Sequence, residues 1–129
     1  ALVGSGQSYP DDCAVLDDEF LTVIQDNRVV RLDLHNRTVV ATYDTDLYGC
    51  AFGLYSTPDG YFIHGELEVA RYDKDFNKKW GFSGRDIFVS PNNKQAFKLL
   101  EDRVCLYDFE DNYYELDYNG NQLLYLPHK

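Results

Sequence analysis

The sequence predicts an all-β protein of about three four-stranded antiparallel repeats in an open, half-propeller-like arrangement. Three observations lead there. Short apolar or alternating runs recur along the chain, bounded by Asp, Asn, Gly and Pro, and no window holds a helical apolar stripe over three turns. Aromatic residues, mainly eleven Tyr and eight Phe, make up 16% of the 129 residues and favour strands and contact surfaces. Similar units also return at intervals suited to β-repeats.

Phe20 to Ile24 reads as a strand, Gln25-Asp26 as a turn, Asn27 to Leu34 as a strand, His35-Asn36-Arg37 as a turn and Thr38 to Tyr43 as the next strand. The same grammar continues with a strand at Cys50 to Tyr55 and a turn at Ser56-Thr57-Pro58-Asp59-Gly60. Pro presets φ in such a turn and Gly permits the positive φ that reverses the chain. Strands follow at Tyr61 to His64, Glu66 to Tyr72 and Lys78 to Phe82, the last two joined by a turn at Asp73 to Asn77. A third set runs through Asp86 to Val89, the turn Ser90-Pro91-Asn92-Asn93, Lys94 to Leu100, Arg103 to Tyr107 and Asn112 to Leu116. Tyr118-Asn119-Gly120-Asn121 is a hairpin turn into Gln122 to Leu126.

One domain spanning 1–129 is expected, with repeats near 14–44, 49–83 and 86–126. Laid over one another, Asn27 to Asp33 matches Leu67 to Asp73 and Asp102 to Asp108, so the closing Asp residues fall 40 and then 35 apart. A competing register matches Leu116 to Asn121 with Tyr72 to Asn77. The Ser-Thr-Pro-Asp-Gly and Ser-Pro-Asn-Asn turns, and the run Arg71 to Trp80, resemble blades of WD40-like and quinoprotein-like β-propellers over roughly residues 14–126. Two departures stand out: no Gly-His…Trp-Asp signature is present, and Phe76 stands where such turns usually carry Gly. The resemblance therefore implies the fold and no cofactor. Closed propellers use about 4 to 8 blades, so three units leave open ends for a second copy or another partner.

The net charge is −10, with a pI near 4.5. Such a surface disfavours nucleic acid, whose binding draws on Lys and Arg. Residues 71–98 hold seven bases against three acids, so the negative charge lies on either side of them. No run approaches the about 18 apolar residues of a membrane helix, and a cytoplasmic location is expected. Ala1 reads as a processed start, after loss of an initiator Met, a tag or a signal peptide. Cys13, Cys50 and Cys105 are odd in number and widely spaced, which suggests buried free thiols.

His35, His64 and His128 form no ligand spacing, and the chain has no Gly-x-Ser-x-Gly elbow and no glycine-rich phosphate loop. No enzyme activity, metal or cofactor is expected. Asp73-x-Asp75-x-Asn77 copies the start of a calcium loop but lacks its Gly and its closing Glu, as does Asp117-x-Asn119-x-Asn121, so both read as Asx-rich turns. Trp80 reads as filler between repeats, ahead of a sugar platform that would make the chain a carbohydrate-binding or hydrolytic domain.

The segment Glu101 to Asp117 carries seven acids and one Arg, with Tyr107, Tyr113 and Tyr114 interleaved. Acids steer a cation in and Tyr rings anchor it. The candidate partner surface is Asp108, Glu110, Asp111, Tyr113, Tyr114, Glu115 and Asp117, extended by Asp17, Asp18 and Glu19. In charge, size and lack of catalytic motifs the chain resembles immunity proteins of bacterial toxin systems, contact-dependent growth inhibition among them. That resemblance implies a basic protein partner, a cognate nuclease toxin whose active site is occluded. A propeller-type scaffold or sensor, as a fragment or half of a homodimeric ring, is the alternative.

Overall fold

A computed structural model describes residues 14–17, 19–25, 27–47, 49–90 and 94–128. Twelve strands are present among them: β1 (Ala14–Asp17), β2 (Phe20–Gln25), β3 (Arg28–Asp33), β4 (Thr38–Asp44), β5 (Ala51–Thr57), β6 (Gly60–Gly65), β7 (Val69–Asp73), β8 (Lys78–Phe82), β9 (Phe97–Leu99), β10 (Arg103–Tyr107), β11 (Tyr113–Asp117) and β12 (Gln122–Leu126). They form three four-stranded antiparallel meanders, β1-β2-β3-β4, β5-β6-β7-β8 and β9-β10-β11-β12. The arrangement is open. No described residue is helical, so no helix is long and apolar enough to cross a membrane.

A carboxylate organises the turn between the third and fourth strand of every sheet. Asp73 Oδ1 accepts from the backbone N–H groups of Asp75 and Asn77, each at 2.9 Å, while Asn77 Nδ2 donates to Oδ2 at 3.0 Å. Asp117 repeats this with Asn119 and Asn121, and Asp33 does so in altered form with His35 and Asn36. A residue near the end of each turn is left-handed: Arg37, just before its returning strand, at φ 56°, and Phe76 and Gly120, each two residues before theirs, at φ 60° and φ 87°. Each sheet then has a register shift at one equivalent place, after Arg31, Arg71 and Glu115. One extra residue there bends the outer strand.

This equivalence settles the register of the repeats. Asp33, Asp73 and Asp117 correspond, 40 and then 44 residues apart, so the competing register is the right one. Asp108 follows the second strand of its sheet and belongs to a different turn. It was matched wrongly because Asp108-Phe-Glu-Asp-Asn112 builds the same carboxylate-capped turn, down to a left-handed Asp111 at φ 65°.

The core lies in the two seams. Between the first and second sheets, Ile24 and Val29 meet Leu54, Tyr61, Ile63, Ala70, Tyr72 and Phe76. Between the second and third, Phe62 and Val69 meet Phe97, Val104, Leu106, Tyr114 and Leu116, with Phe88 added from the connection. The middle sheet is thus covered on both faces, which is why β6 and β7 are buried almost without a break.

Two expectations need correction. Asp86 to Val89 is not a strand. Its amides are taken singly, Phe88 N–H donating to Glu66 O and Phe109 N–H to Ile87 O, and Phe88 is drawn into the core as a plug. The third sheet begins later, at Phe97. Ala14–Asp17, to which the sequence reading gave no strand, pairs with β2 in full register. The turn residues Asp26 and 91–93 lie outside the described residues.

Phe76 shows why Gly is missing from its turn. Its ring stacks on Tyr61 at 4.3 Å and lies 5.0 Å from Tyr43 across the seam, so core packing outweighs a left-handed backbone cost of about 1–2 kcal/mol. Removing the ring in Phe76→Ala should cost about 3–5 kcal/mol in urea unfolding. Phe76→Gly removes the same ring but relieves the strain, so it should be the more stable of the two by about 1 kcal/mol. Ala equal to or above Gly would show that the backbone there is unstrained.

Candidate functional site

The acids and tyrosines singled out in the sequence do not form one surface. Asp108 is 0% exposed and its carboxylate accepts from Asn112 N–H, Asn112 Nδ2 and Tyr114 Oη, the last at 2.7 Å. Tyr114 is buried with it, and burial pushes its hydroxyl pKa up to about 12. Both are interior groups, which corrects their placement on a partner surface. They were misread because strand alternation sends Tyr114 inward while its neighbours Tyr113 and Glu115 point out.

The others are exposed to different degrees. Asp111 is held by Lys94 Nζ at 2.7 Å, with His128 at 3.7 Å. Glu115 accepts from Tyr113 Oη at 2.6 Å and Arg103 Nη1 at 2.8 Å, and both contacts hold its pKa below the usual carboxylate value. Asp117 caps its turn. Glu110 and Glu19 are exposed, Glu19 lying 4.0 Å from His35 Nδ1. Asp18 and the side chain of Asp17 lie outside the described residues, as do Asp11, Asp12 and Cys13.

Among the described residues no three His, Cys, Asp or Glu side chains converge as metal ligands would. The calcium-like runs at Asp73 and Asp117 spend their carboxylate oxygens on turn N–H groups. His64 Nε2 lies 2.9 Å from Phe88 O, and its ring stacks on Phe97 in the second seam. Cys105 is buried but Cys50 is exposed, against the expectation of buried thiols. Trp80 sits in the second seam, its Nε1 donating to Tyr118 O at 2.9 Å.

What the fold sets up instead is a pair of open sheet faces. On the first sheet, cross-strand pairing lines up Leu16, Leu21, Leu32 and Val39 on the side away from the second sheet. Leu16 is 64% and Val39 60% exposed. On the third sheet, the row Lys98, Cys105, Glu115 and Leu124 faces outward beside Tyr107, Tyr113 and Leu126. That row is the counterpart of Tyr55, Phe62, Arg71 and Trp80, which the second sheet turns into its seam with the third. An end face thus holds the position that is interior one sheet earlier.

The seams are also alike in chemistry. Arg31 of β3 lies over the Phe76 ring and donates to Lys74 O, both in the next sheet's turn, and Trp80 donates to the equivalent carbonyl, Tyr118 O. Gly120 is kept small because a β-carbon there would come within 2.8 Å of Trp80. Sequence reading did not single out Arg31 or Arg37. The signal was present in Arg31-Leu-Asp33, Arg71-Tyr-Asp73 and Glu115-Leu-Asp117, once Asp117 replaces Asp108 in the alignment.

No family model matches the chain, and no curated protein matches its sequence. Solved structures do resemble it. BamB from Moraxella catarrhalis superposes with a TM-score of 0.61 at 12% identity, covering 87% of this chain and 36% of that one. A chain from the S. cerevisiae assembly of Dbp5 bound to Nup159, Gle1, IP6 and ADP gives 0.60 at 10% identity, covering 89% and 30%. The N-terminal domain of Nup159 gives 0.57 at 11%, again covering 89% and 30%. The likeness shows a β-propeller-like fold. The chain spans about a third of the length of these structures.

The turn carboxylates give a pH signature. Hydrogen bonds from Asn36, Asn77 and Asn121 hold Asp33, Asp73 and Asp117 below the ordinary value of 3.8. A folded pKa below the unfolded one adds stability that is complete above the unfolded value and lost as pH falls through the folded value. Thermal unfolding midpoints should therefore be flat down to about pH 5 and then drop. Asp73→Asn should shrink that drop, and an equal drop in the variant would remove Asp73 from it.

Proposed function

We propose that the chain acts as a propeller-type binding scaffold, and that a second copy completes its ring of sheets. The supporting observation is the pair of open end faces. A four-stranded sheet buries both faces only between neighbours, and three sheets have two faces left over. Two copies would supply six sheets, within the range of closed propellers, with the third sheet of each stacking on the first sheet of the other about a two-fold axis.

The side chains at the two ends suit that pairing. Carrying the relation between successive sheets one step further sets the third sheet's Glu115 in the role of Arg31 and Arg71. It sets Arg37, at the left-handed turn position, in the role of Phe76 and Gly120. Arg37 is exposed and has no carboxylate partner among the described residues. Arg37 would join Arg103 and Tyr113 around Glu115, and the Leu16, Leu21, Leu32 and Val39 row would cover Leu124 and Tyr113. The surface so completed would be the one that receives a client protein.

A second reading, inhibition of a basic toxin, draws on the net charge of −10 and on exposed Glu101, Asp102 and Glu110. Four of its acids, Asp108, Asp111, Glu115 and Asp117, already have partners within the chain, which leaves a smaller patch to attract a cation.

Light scattering on the free chain at micromolar concentration should give twice its 14.9 kDa mass. Val39→Lys with Arg37→Glu should weaken the dimer by about tenfold or more while leaving the circular dichroism of the strands unchanged. A monomer at all concentrations would end the ring reading. Tight capture of a cationic nuclease by that monomer would favour the second one.

A further inference from the structure

The two internal seams differ around one equivalent arginine, and a cleft lies beside it in the first. Where the second sheet meets the third, Arg71 is closed in. It is 8% exposed, its guanidinium lies 4.7 Å from the centre of the Phe62 ring and 5.3 Å from that of Tyr118, and it donates to Thr57 Oγ1 at 2.6 Å. Trp80 is its cross-strand neighbour and fills the space alongside. Where the first sheet meets the second, Arg31 holds the same position, but its neighbour on β4 is Ala41 and the turn residue is Lys74 instead of Tyr118.

A cleft of about 510 Å³ lies there, lined by Thr22, Arg31, Val40, Thr57, Tyr61 and Lys74 among others. That volume falls within the range of small-molecule sites. Arg31 is fixed in it. Its Nη2 donates to Tyr61 Oη at 3.2 Å and Lys74 O at 3.3 Å, and its guanidinium carbon lies 5.7 Å from the centres of both the Tyr43 and Phe76 rings. Both acceptors are neutral, and no carboxylate among the described residues pairs with Arg31 or with Lys74. Asp75 is the one acid in the lining.

A guanidinium offers five donors in a planar fork that matches carboxylate and phosphate oxygens, and ring support leaves less side-chain freedom to lose on binding. The geometry points to this cleft as a binding site for a small oxyanion, the carboxylate or phosphate group of a low-molecular-weight ligand, with Arg31 as anchor and Lys74 at the mouth. Thr22 and Tyr61 offer hydroxyls to the body of the ligand, and Phe20, Val40 and Pro58 give it an apolar rim. The site is independent of ring closure, because one chain supplies both walls.

Titration calorimetry of the full chain with inorganic phosphate, phenyl phosphate and benzoate tests it. One saturable site is expected for at least one probe. Response to the two phosphates alone marks a phosphate ligand, and response to benzoate alone a carboxylate. Arg31→Gln should weaken binding by about tenfold or more, the loss of a charged hydrogen-bonded pair. Val40→Trp, at an exposed position of the lining, should fill the cleft, abolish binding and leave the unfolding midpoint unchanged. No saturation by any probe, or binding that survives both Arg31→Gln and Val40→Trp unchanged, would overturn the assignment.

Discussion

A four-stranded antiparallel sheet has two faces and can cover neither by itself, and the rest of this structure follows from that constraint. The middle sheet satisfies it twice, which places Tyr61 and Ile63 in one seam and Phe62 in the other, on alternate residues of a single strand. The outer sheets satisfy it once each. Their inward faces hold the core, and their outward faces carry Leu16, Val39, Leu124 and Leu126 in water. Apolar surface so exposed, at about 25 cal/mol per Å², is a standing drive toward association.

Stacking sheets need a fixed register, and this chain sets it with carboxylates. Asp33, Asp73 and Asp117 each fold the last hairpin of their sheet around two backbone N–H groups and an Asn amide. The register shift that follows lies beside one residue of every third strand: Arg31 and Arg71 at the two seams and Glu115 on the outward face. Part of the negative charge is therefore turn chemistry, tied to the backbone. The sequence reading took the acids near the C-terminus as a surface because composition shows charge but not what each carboxylate holds.

How much was legible depends on whether a signal is local. Strands that follow Asx or Gly turns, such as Lys78–Phe82 and Gln122–Leu126, were readable because turn and strand chemistry lie within a few residues of each other. Asp108 misled because a second hairpin uses the same capped turn, and only strand pairing tells the two apart. Ile87-Phe88-Val89 misled because an apolar triplet suits a strand and a core plug equally well, and the choice is made by Glu66 and Phe109 far away in sequence. Phe76 was noticed as a departure, yet its reason, a stack with Tyr61 and Tyr43, needs three sequence-distant segments together.

Repetition of this kind lets a position change its task without changing its place. The third-strand residue is sealed in one seam as Arg71, held at an open cleft in the other as Arg31, and turned to the outside as Glu115. What differs among these states is the surroundings: Trp80 packs beside the first, a cleft lies beside the second, and the third has no sheet beyond it in this chain. A fold made of near-identical units can therefore acquire a cavity by changing what packs beside one residue, and can acquire an interface charge by inverting one residue at its edge. Neither change disturbs the capped turn two residues away, which keeps the sheet in register while its chemistry varies.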